Sequence, residues 1–245
     1  MTTLSRAIVT GATSGIGEAT VRALTSSGRQ VLAIARREER LRALANATGA
    51  EYLVADVRDL DAQTARLTGF EPDILINNAG VGHGISGLDG LSPDQLQEAF
   101  DINVVAPLKL IACLTPGMKT RRRGHIVNIG SIAGLHTLLS AVYGGTKSAI
   151  HRISQNLRFE LSGTGIRVTE IAPGRVASEF YQAAEGDRER LAAMGASGIR
   201  ELQPEDIANA ILFAVDAPAH VNVATLEILP TEQAVGGIKA EAVKD

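Results

Sequence analysis

Seven short aliphatic, β-branched runs punctuate this chain and leave it few possible folds: 7–10 (AIVT), 31–35 (VLAIA), 52–55 (YLVA), 73–76 (DILI), 125–129 (HIVNI), 166–171 (IRVTEI) and 223–229 (VATLEIL). Between the early runs, apolar residues recur at helical spacing, as at Ala19 and Leu24 and again at Leu41, Leu44 and Ala45. Short, mostly apolar runs are strands buried on both faces, and strands alternating with helices assemble as βαβ units. The pattern predicts a seven-stranded, mainly parallel α/β sheet, doubly wound with helices on both faces. A chain of 245 residues can bury one substantial core, and no repeat, low-complexity tract or linker divides it, so residues 1–245 are expected to form a single domain. The stretch 177–203 breaks the rhythm by mixing helix formers with small residues and glycine; it reads as a mobile insert covering the site. Pro204, Glu205 and Asp206 then restart a helix with an acidic first turn.

The first run leads directly into TGATSGIG, residues 10–17, which carries Gly11, Gly15 and Gly17. A strand, a glycine turn and a helix N-terminus can hold a pyrophosphate, because the backbone must approach closely and the helix end carries partial positive charge. The spacing is Gly-x3-Gly-x-Gly rather than Gly-x-Gly-x2-Gly, so the turn alone also fits a plain loop-to-helix junction. The second run ends in Ala35, Arg36 and Arg37. In a dinucleotide fold that strand end meets the adenosine ribose, where an acid favours a free 2′-hydroxyl and arginine suits a 2′-phosphate. A small residue followed by two arginines points to NADP(H); without the glycine turn they would simply open a solvated helix, RREERLRAL.

Charge and cysteine usage narrow the partners. The 24 Lys and Arg nearly balance the 27 Asp and Glu, which gives no sign of a nucleic-acid groove or a polybasic membrane contact. A small-molecule substrate is expected. The single cysteine, Cys113, can form neither an intramolecular disulfide nor a metal cluster, MTTLSR lacks a signal-peptide core, and no run approaches about 20 apolar residues. A cytoplasmic protein without metal is the expectation.

Downstream, Ser131 precedes YGGTK, which places Tyr143 and Lys147 four apart and on one helix face. A phenol with a pKa of about 10 is a poor acid-base group near neutrality, but a neighbouring ammonium favours the phenolate and moves it toward a useful range. The serine hydroxyl adds a hydrogen bond to a reacting oxygen. The same spacing also describes an ordinary amphipathic pair.

Taken together, TGATSGIG (10–17), Asp56-Val57, NNAG (77–80), Asn103, NIGSIAG (128–134), YGGTK (143–147) and PGRVAS (173–178) make the chain resemble the compact branch of the short-chain dehydrogenase/reductase family over nearly its whole length. The resemblance implies a single-domain Rossmann fold. It implies Tyr143 as general acid/base, Lys147 as ribose anchor and modifier of the phenol, Ser131 as donor to the carbonyl oxygen, and Asn103 as the residue steadying a proton-relay water near Lys147. For the cofactor, NADP, it implies a cradle of Gly11, Thr13, Ser14, Gly15, Ile16 and Gly17. Asp56 and Val57 fall at the adenine, Asn78, Ala79 and Gly80 along the adenosine side, and Pro173, Gly174, Val176 and Ser178 at the carboxamide. Ser178 stands where threonine is usual and keeps the hydroxyl. A homotetramer, or a dimer of related geometry, through the helices containing Cys113 and Tyr143 and the C-terminal segment, is also implied.

One departure stands out. Ser131 and Tyr143 are 12 positions apart, one fewer than the family pattern, so the path of the intervening loop over the substrate is open. A narrower likeness, strongest in the tail LQPEDIANAILFAVDAPAHVNVATLEILPTEQ, is to NADP-dependent 3-hydroxy acid and serine dehydrogenases and to clavulanic-type aldehyde reductases. The expected substrate is a small alcohol or carbonyl compound, with a 3-hydroxy acid or its semialdehyde first. The alternatives are a hydrophobic ketone, aldehyde, sugar or acyl-thioester, and a non-catalytic dinucleotide-binding protein.

Among pocket candidates, His136 lies in the shortened loop, Arg175 could pair with an acidic substrate, and Tyr181 falls in the insert. Leu135, Leu138, Leu139, Phe180 and Met194 could instead line an apolar pocket. His83 is expected to be an exposed loop residue, Arg121 to Arg123 a helix C-terminus, and Cys113 a small buried apolar side chain.

Overall fold

The structure, a computed structural model, describes residues 5–138, 140–184, 189 and 198–235. The expected insert therefore lies partly outside the described residues, at 185–188 and 190–197, as do Leu139 and Met194.

Each expected strand is present, with ends shifted by at most two residues: β1 (Arg6–Thr10), β2 (Gln30–Ala35), β3 (Glu51–Val54), β4 (Ile74–Asn77), β5 (Gly124–Ile129), β6 (Ile166–Pro173) and β7 (Thr225–Ile228). All pairings are parallel, in the order β3-β2-β1-β4-β5-β6-β7. Parallel strands need crossovers, and these are α1 (Gly15–Ser26), α2 (Glu38–Thr48), α3 (Thr64–Gly69), α4 (Pro93–Phe100) running into α5 (Ala106–Thr120), the pair α6 (Ile132–Leu135) and α7 (Ala141–Glu160), and the pair α8 (Phe180–Ala183) and α9 (Pro204–Asp216).

Alternate strand residues feed opposite faces, so the sheet separates two apolar layers. Val9, Val31, Ile76, Val127 and Ile171 meet Val21 and Leu24 of α1 and Ile207 and Ile211 of α9. On the other side Ile8, Leu32, Leu75, Ile126 and Val168 meet Leu110, Leu114 and Met118 of α5 and Leu157 of α7. Each such side chain contributes about 1.5–3 kcal/mol by leaving water.

The chain from Pro93 to Thr120 forms one continuous 28-residue helical stretch, joined by a π-type turn at Asp101–Val105. Its most apolar window has a mean hydropathy of 1.4 and meets the length and composition of a membrane span, which the sequence runs did not anticipate. Half of that window is buried inside the fold, as expected of a core helix. Ser92 starts it with a capping box to Gln95, and Pro93 occupies the first turn, where its missing N–H costs nothing.

Two buried polar features tie the central strands together. Asn77 and Asn128 face each other across β4 and β5; Asn77 Nδ2 donates to Asn128 Oδ1 at 2.9 Å, and Asn128 Nδ2 donates to Ser154 Oγ at 2.9 Å. At the opposite end of β5, His125 is fully buried with Nε2 2.8 Å from Thr169 Oγ1. Burial, reinforced by Arg167, lowers its pKa from 6.5 to about 3.

His125 is therefore neutral in the folded protein over a range where the unfolded chain takes up a proton. Its contribution to stability is complete above pH 6.5 and is lost as pH falls from there toward about 3. Denaturant midpoints of the unmodified protein should drop more steeply below pH 6.5 than those of His125→Gln. Parallel curves for the two proteins would contradict this.

Candidate active site

The C-terminal ends of β1 and β4 flank the point where the chain reverses its winding, and a cavity of about 1180 Å³ opens there. At its floor is the glycine turn. Gly11 and Gly15 have φ of 65° and 51°, in the left-handed region, and a Cβ on Gly17 would lie 2.2 Å from the Gly11 carbonyl oxygen. A Cβ on Gly11 would meet Ala79 Cα at 2.8 Å. The turn thus folds onto itself and onto the end of β4. Thr10 Oγ1 accepts from the Asn78 and Ala79 amides at 3.1 Å each, and Asn78 Nδ2 donates to the Thr10 and Gly11 carbonyls at 2.9 and 3.2 Å. Asn78, expected on the adenosine side, lines the cavity with Ala79 and Gly80, and its side chain braces this turn. Ser14, at the N-cap of α1, makes no side-chain bond to the helix, which leaves the first-turn N–H groups to the cavity.

At the ribose end, Ala35, Arg36 and Arg37 all line the cavity. Arg37 Nε donates to Thr13 Oγ1 at 3.0 Å and Nη2 to Ser14 Oγ at 2.7 Å, so this guanidinium is fastened to the glycine turn. Arg36 is largely exposed, 3.8 Å from Asp56. Arg58 grips Asp56 at 3.0 and 2.8 Å, and this hydrogen bonding, opposed by partial burial, holds the carboxyl below its usual range. A close backbone cradle, an open helix N-terminus and two cations without an acid at position 35 fit an NADP(H) with its 2′-phosphate.

At the other end, Ser131 closes β5 and caps α6, accepting from the Ala133 amide at 3.1 Å. Tyr143 and Lys147 follow on α7, both buried, and the ammonium lies 5.8 Å from the phenol ring centroid. Ser131, Tyr143 and Lys147 all line the cavity. The missing loop residue does not separate serine from tyrosine: both line the same cavity, and the Ser131 hydroxyl is near enough to the phenol to act against the rise in its pKa. Glycines make this possible, because a Cβ on Gly134 would lie 2.6 Å from the Lys147 carbonyl oxygen, so α6 packs backbone against backbone on α7. Lys147 Nζ donates to the Ile129 carbonyl at 2.8 Å.

Burial outweighs the expected influence of the ammonium. It raises the Tyr143 pKa well above 10, with the Ser131 hydroxyl opposing it, and lowers that of Lys147 to about 8 against the field of buried Glu170. The phenol therefore holds its proton at neutral pH in this state. Asn103, on the π-type turn, has its side-chain amide engaged by the loop after β4 and by α7. Its Oδ1 accepts from the Val81 amide at 2.8 Å, and its Nδ2 donates to the Val81 carbonyl at 2.9 Å and to Thr146 Oγ1 at 3.0 Å. It binds the loop after β4 to α7, with Gly80 beside both it and Lys147.

Two histidines exchange the environments expected of them. His136 lies outside the cavity lining, where Glu227 of β7 holds its ring at 2.6 Å. His83 is buried and lines the cavity, with Nε2 3.0 Å from Glu98 Oε2. Glu98, itself a lining residue on α4, was not foreseen; its partner lies 15 positions away, beyond any helical spacing signal. Arg175 also lines the cavity, but Glu201 holds its Nε and Nη2 at 2.9 Å each, and its guanidinium covers the Tyr181 ring at 4.8 Å. Phe180 lies between the aromatic groups, 5.5 Å from the Tyr143 centroid and 5.7 Å from that of Tyr181. Val57, Pro173, Gly174, Val176 and Ser178 line the cavity as expected, and among the described residues no cluster of metal ligands occurs. Arg121 caps the end of α5, and Cys113 is partly buried on that helix.

Comparison with known proteins identifies the family and the fold. The family model described as short chain dehydrogenase matches residues 5–189. The chain is 37% identical over 241 residues to the NADP-dependent 3-hydroxy acid dehydrogenase YdfG of Salmonella typhi, covering 94% of this chain and 97% of that one. It is 35% identical over 240 residues to the serine 3-dehydrogenase of Agrobacterium fabrum, covering 95% and 96%. Among solved structures, the closed form of serine dehydrogenase complexed with NADP+ superposes with a TM-score of 0.90 at 35% identity, covering 97% of this chain and all of that one.

Because a Cβ at position 17 would strike backbone rather than a movable side chain, Gly17→Ala should lose about 1–3 kcal/mol of stability and most of its nucleotide affinity. A variant that melts and binds NADPH like the unmodified protein would disprove this account of the turn.

Proposed function

Because this chain belongs to the short-chain dehydrogenase/reductase family, we propose that Ser131, Tyr143 and Lys147 carry out its reaction. The protein is an NADP-dependent oxidoreductase acting on alcohol and carbonyl groups. The nicotinamide, when bound, supplies or accepts the hydride. Arg36 and Arg37 would hold the 2′-phosphate, the turn from Gly11 to Gly17 the pyrophosphate, and the segment from Pro173 to Ser178 the carboxamide end.

The observation that carries the reading is the burial of Tyr143 and Lys147 together on the cavity wall beside Ser131. An ordinary amphipathic pair would leave the lysine in water. In the reductive direction Tyr143 Oη gives its proton to the carbonyl oxygen, and Ser131 Oγ donates a hydrogen bond to the same oxygen. Lys147 then opposes the charge left on the phenolate, an interaction strengthened by the low polarity that raised the phenol pKa. Asn103 holds the loop that carries Gly80 and Val81 against α7, which keeps the wall near Lys147 in place.

The proposed substrate is a small 3-hydroxy acid or its semialdehyde. Support comes from the relatives' names and from Arg175 beside the Pro173-Gly174 turn. A substrate carboxylate would have to share Arg175 with Glu201. That competition, and the aromatic wall of Phe180 and Tyr181, favour a second reading, an apolar ketone or aldehyde. We further propose a homo-oligomer, dimeric or tetrameric, in which α5, α7 and the C-terminal segment meet a second copy. Exposed Leu108 on α5, Phe159 on α7 and Phe213 on α9 offer apolar area for it. A reducing cytoplasm suits its one unpaired cysteine, Cys113.

Tyr143→Phe should cut carbonyl reduction at least about 100-fold while leaving NADPH affinity within about threefold. Reduction by the unmodified enzyme should decline as pH rises through about 8, where Lys147 loses its proton and can no longer oppose the phenolate charge. Substantial turnover by Tyr143→Phe would reject the mechanism.

Arg175→Ala distinguishes the two substrate readings. For an acid it should raise KM by the loss of a charge-assisted contact of about 1.5–3 kcal/mol, while barely changing an uncharged analogue. Equal effects on both compounds would favour the apolar carbonyl.

A further inference from the structure

One carboxylate lies on the arginines at the ribose end. Glu179 Oε2 accepts from Arg37 Nη1 at 3.0 Å, and its two oxygens accept from Arg40 Nη1 at 2.9 and 3.0 Å. Arg37 is the same guanidinium that Thr13 and Ser14 fasten to the glycine turn. Glu179 lines the cavity and belongs to the chain that crosses it. Its neighbour Ser178 lies against Gly15, where a Cβ would stand 3.2 Å from Ser178 Cβ, and its other neighbour, Phe180, packs on Tyr143. The strap from Ser178 to Phe180 thus reaches from the pyrophosphate turn to the reacting phenol, and Glu179 ties it to the arginines.

We propose that Glu179 is an internal competitor for the cofactor 2′-phosphate, which rests on the NADP(H) reading given above. Carboxylate and phosphate monoester seek the same guanidinium faces. The phosphate carries about 1.5 to 2 negative charges near neutrality and three acceptor oxygens, against one charge and two oxygens for Glu179. The side chains of Glu179, Arg37 and Arg40 are 48%, 43% and 49% exposed, and ion pairs in that setting are weak enough to be exchanged. A nucleotide bearing the phosphate takes Arg37 from Glu179 and loosens the strap at that end. A nucleotide lacking it leaves the tie in place. Glu179 therefore lowers affinity for the phosphorylated cofactor below what the arginines alone would give, and links occupancy of the ribose end to the freedom of Phe180 beside Tyr143.

The test uses 2′,5′-ADP and 5′-AMP as probes, with calorimetry on the unmodified protein, Glu179→Gln and Glu179→Asp. Glu179→Gln should tighten 2′,5′-ADP binding about threefold to tenfold and change 5′-AMP binding by less than about twofold, as expected for removal of an exposed competing charge. Glu179→Asp, which keeps the charge, should stay within about twofold of the unmodified protein for both probes. Hydrogen exchange gives a second readout. In the unmodified protein 2′,5′-ADP should speed exchange at the amides of residues 179–183 and 5′-AMP should not, whereas in Glu179→Gln these amides should exchange faster before any probe is added. Unchanged or weaker 2′,5′-ADP binding by Glu179→Gln, or equal tightening by Glu179→Asp, overturns the proposal while the NADP(H) reading stands. If the unmodified protein binds 5′-AMP as tightly as 2′,5′-ADP, the NADP(H) reading itself fails and takes the proposal with it.

Discussion

The contact of backbone on backbone at the end of β1 is the constraint on which the site depends. Gly17 lies so close to the Gly11 carbonyl that no side chain fits between them, and a Cβ on Gly11 would in turn strike the backbone of Ala79 just after β4. These approaches bring the N-terminus of α1 over the crevice between two strands that are adjacent in space but separated by more than 60 residues in sequence. Everything at the nucleotide end is positioned from there: Thr13 and Ser14 take hold of Arg37, Gly15 receives Ser178, and Asn78 closes the turn from the side of β4. A fold that could not bring these two pieces of main chain together would still have a sheet, but it would have no cavity at the switch point.

At the opposite end the governing effect is desolvation. Burying a phenol and an amine together disfavours the charged form of each, so the phenol pKa rises and the amine pKa falls. Glu170, fully buried behind them and 2.6 Å from His151 Nδ1, counters part of the cost to Lys147. The result is a phenol that keeps its proton at neutral pH, beside an amine that remains charged up to about pH 8. The same dryness makes a charge formed on the tyrosine oxygen more sensitive to the ammonium than it would be in water.

The strands were legible because a parallel sheet buries both faces of each strand and so leaves continuous apolar runs, while the glycine turn and the YGGTK segment carry their geometry in local spacing. What could not be read was decided by distant partners. His83 and His136 each sit in an unremarkable loop; Glu98 draws the first inward and Glu227 draws the second out toward β7, from 15 and 91 positions away. Arg175 was visible as a cation near the nicotinamide end, but its engagement with Glu201 depends on how the chain returns 26 residues later. The influence of Lys147 on Tyr143 was expected from charge alone, whereas the depth of their burial is a tertiary property. The short loop between Ser131 and Tyr143 looked like a defect in one dimension. In three it is absorbed by Gly134, whose missing side chain lets α6 settle directly on the backbone of α7.

The polar ladder running from Asn77 through Asn128 to Ser154 bears on how exactly the two halves of the site are aligned. Asn77 is followed at once by Asn78, which braces the nucleotide turn, and Asn128 stands three residues before Ser131. A slip of one residue between β4 and β5 would carry Ser131 about 3.3 Å along the sheet, and it would turn one amide of the ladder to the opposite face and strand its partner in an apolar layer. Apolar strands alone tolerate such sliding, since one aliphatic residue replaces another. The amides make the register discrete, so the ladder works as a ruler: the spacing between nucleotide and serine is set in whole residues, and gradual drift in the packing around it cannot change it.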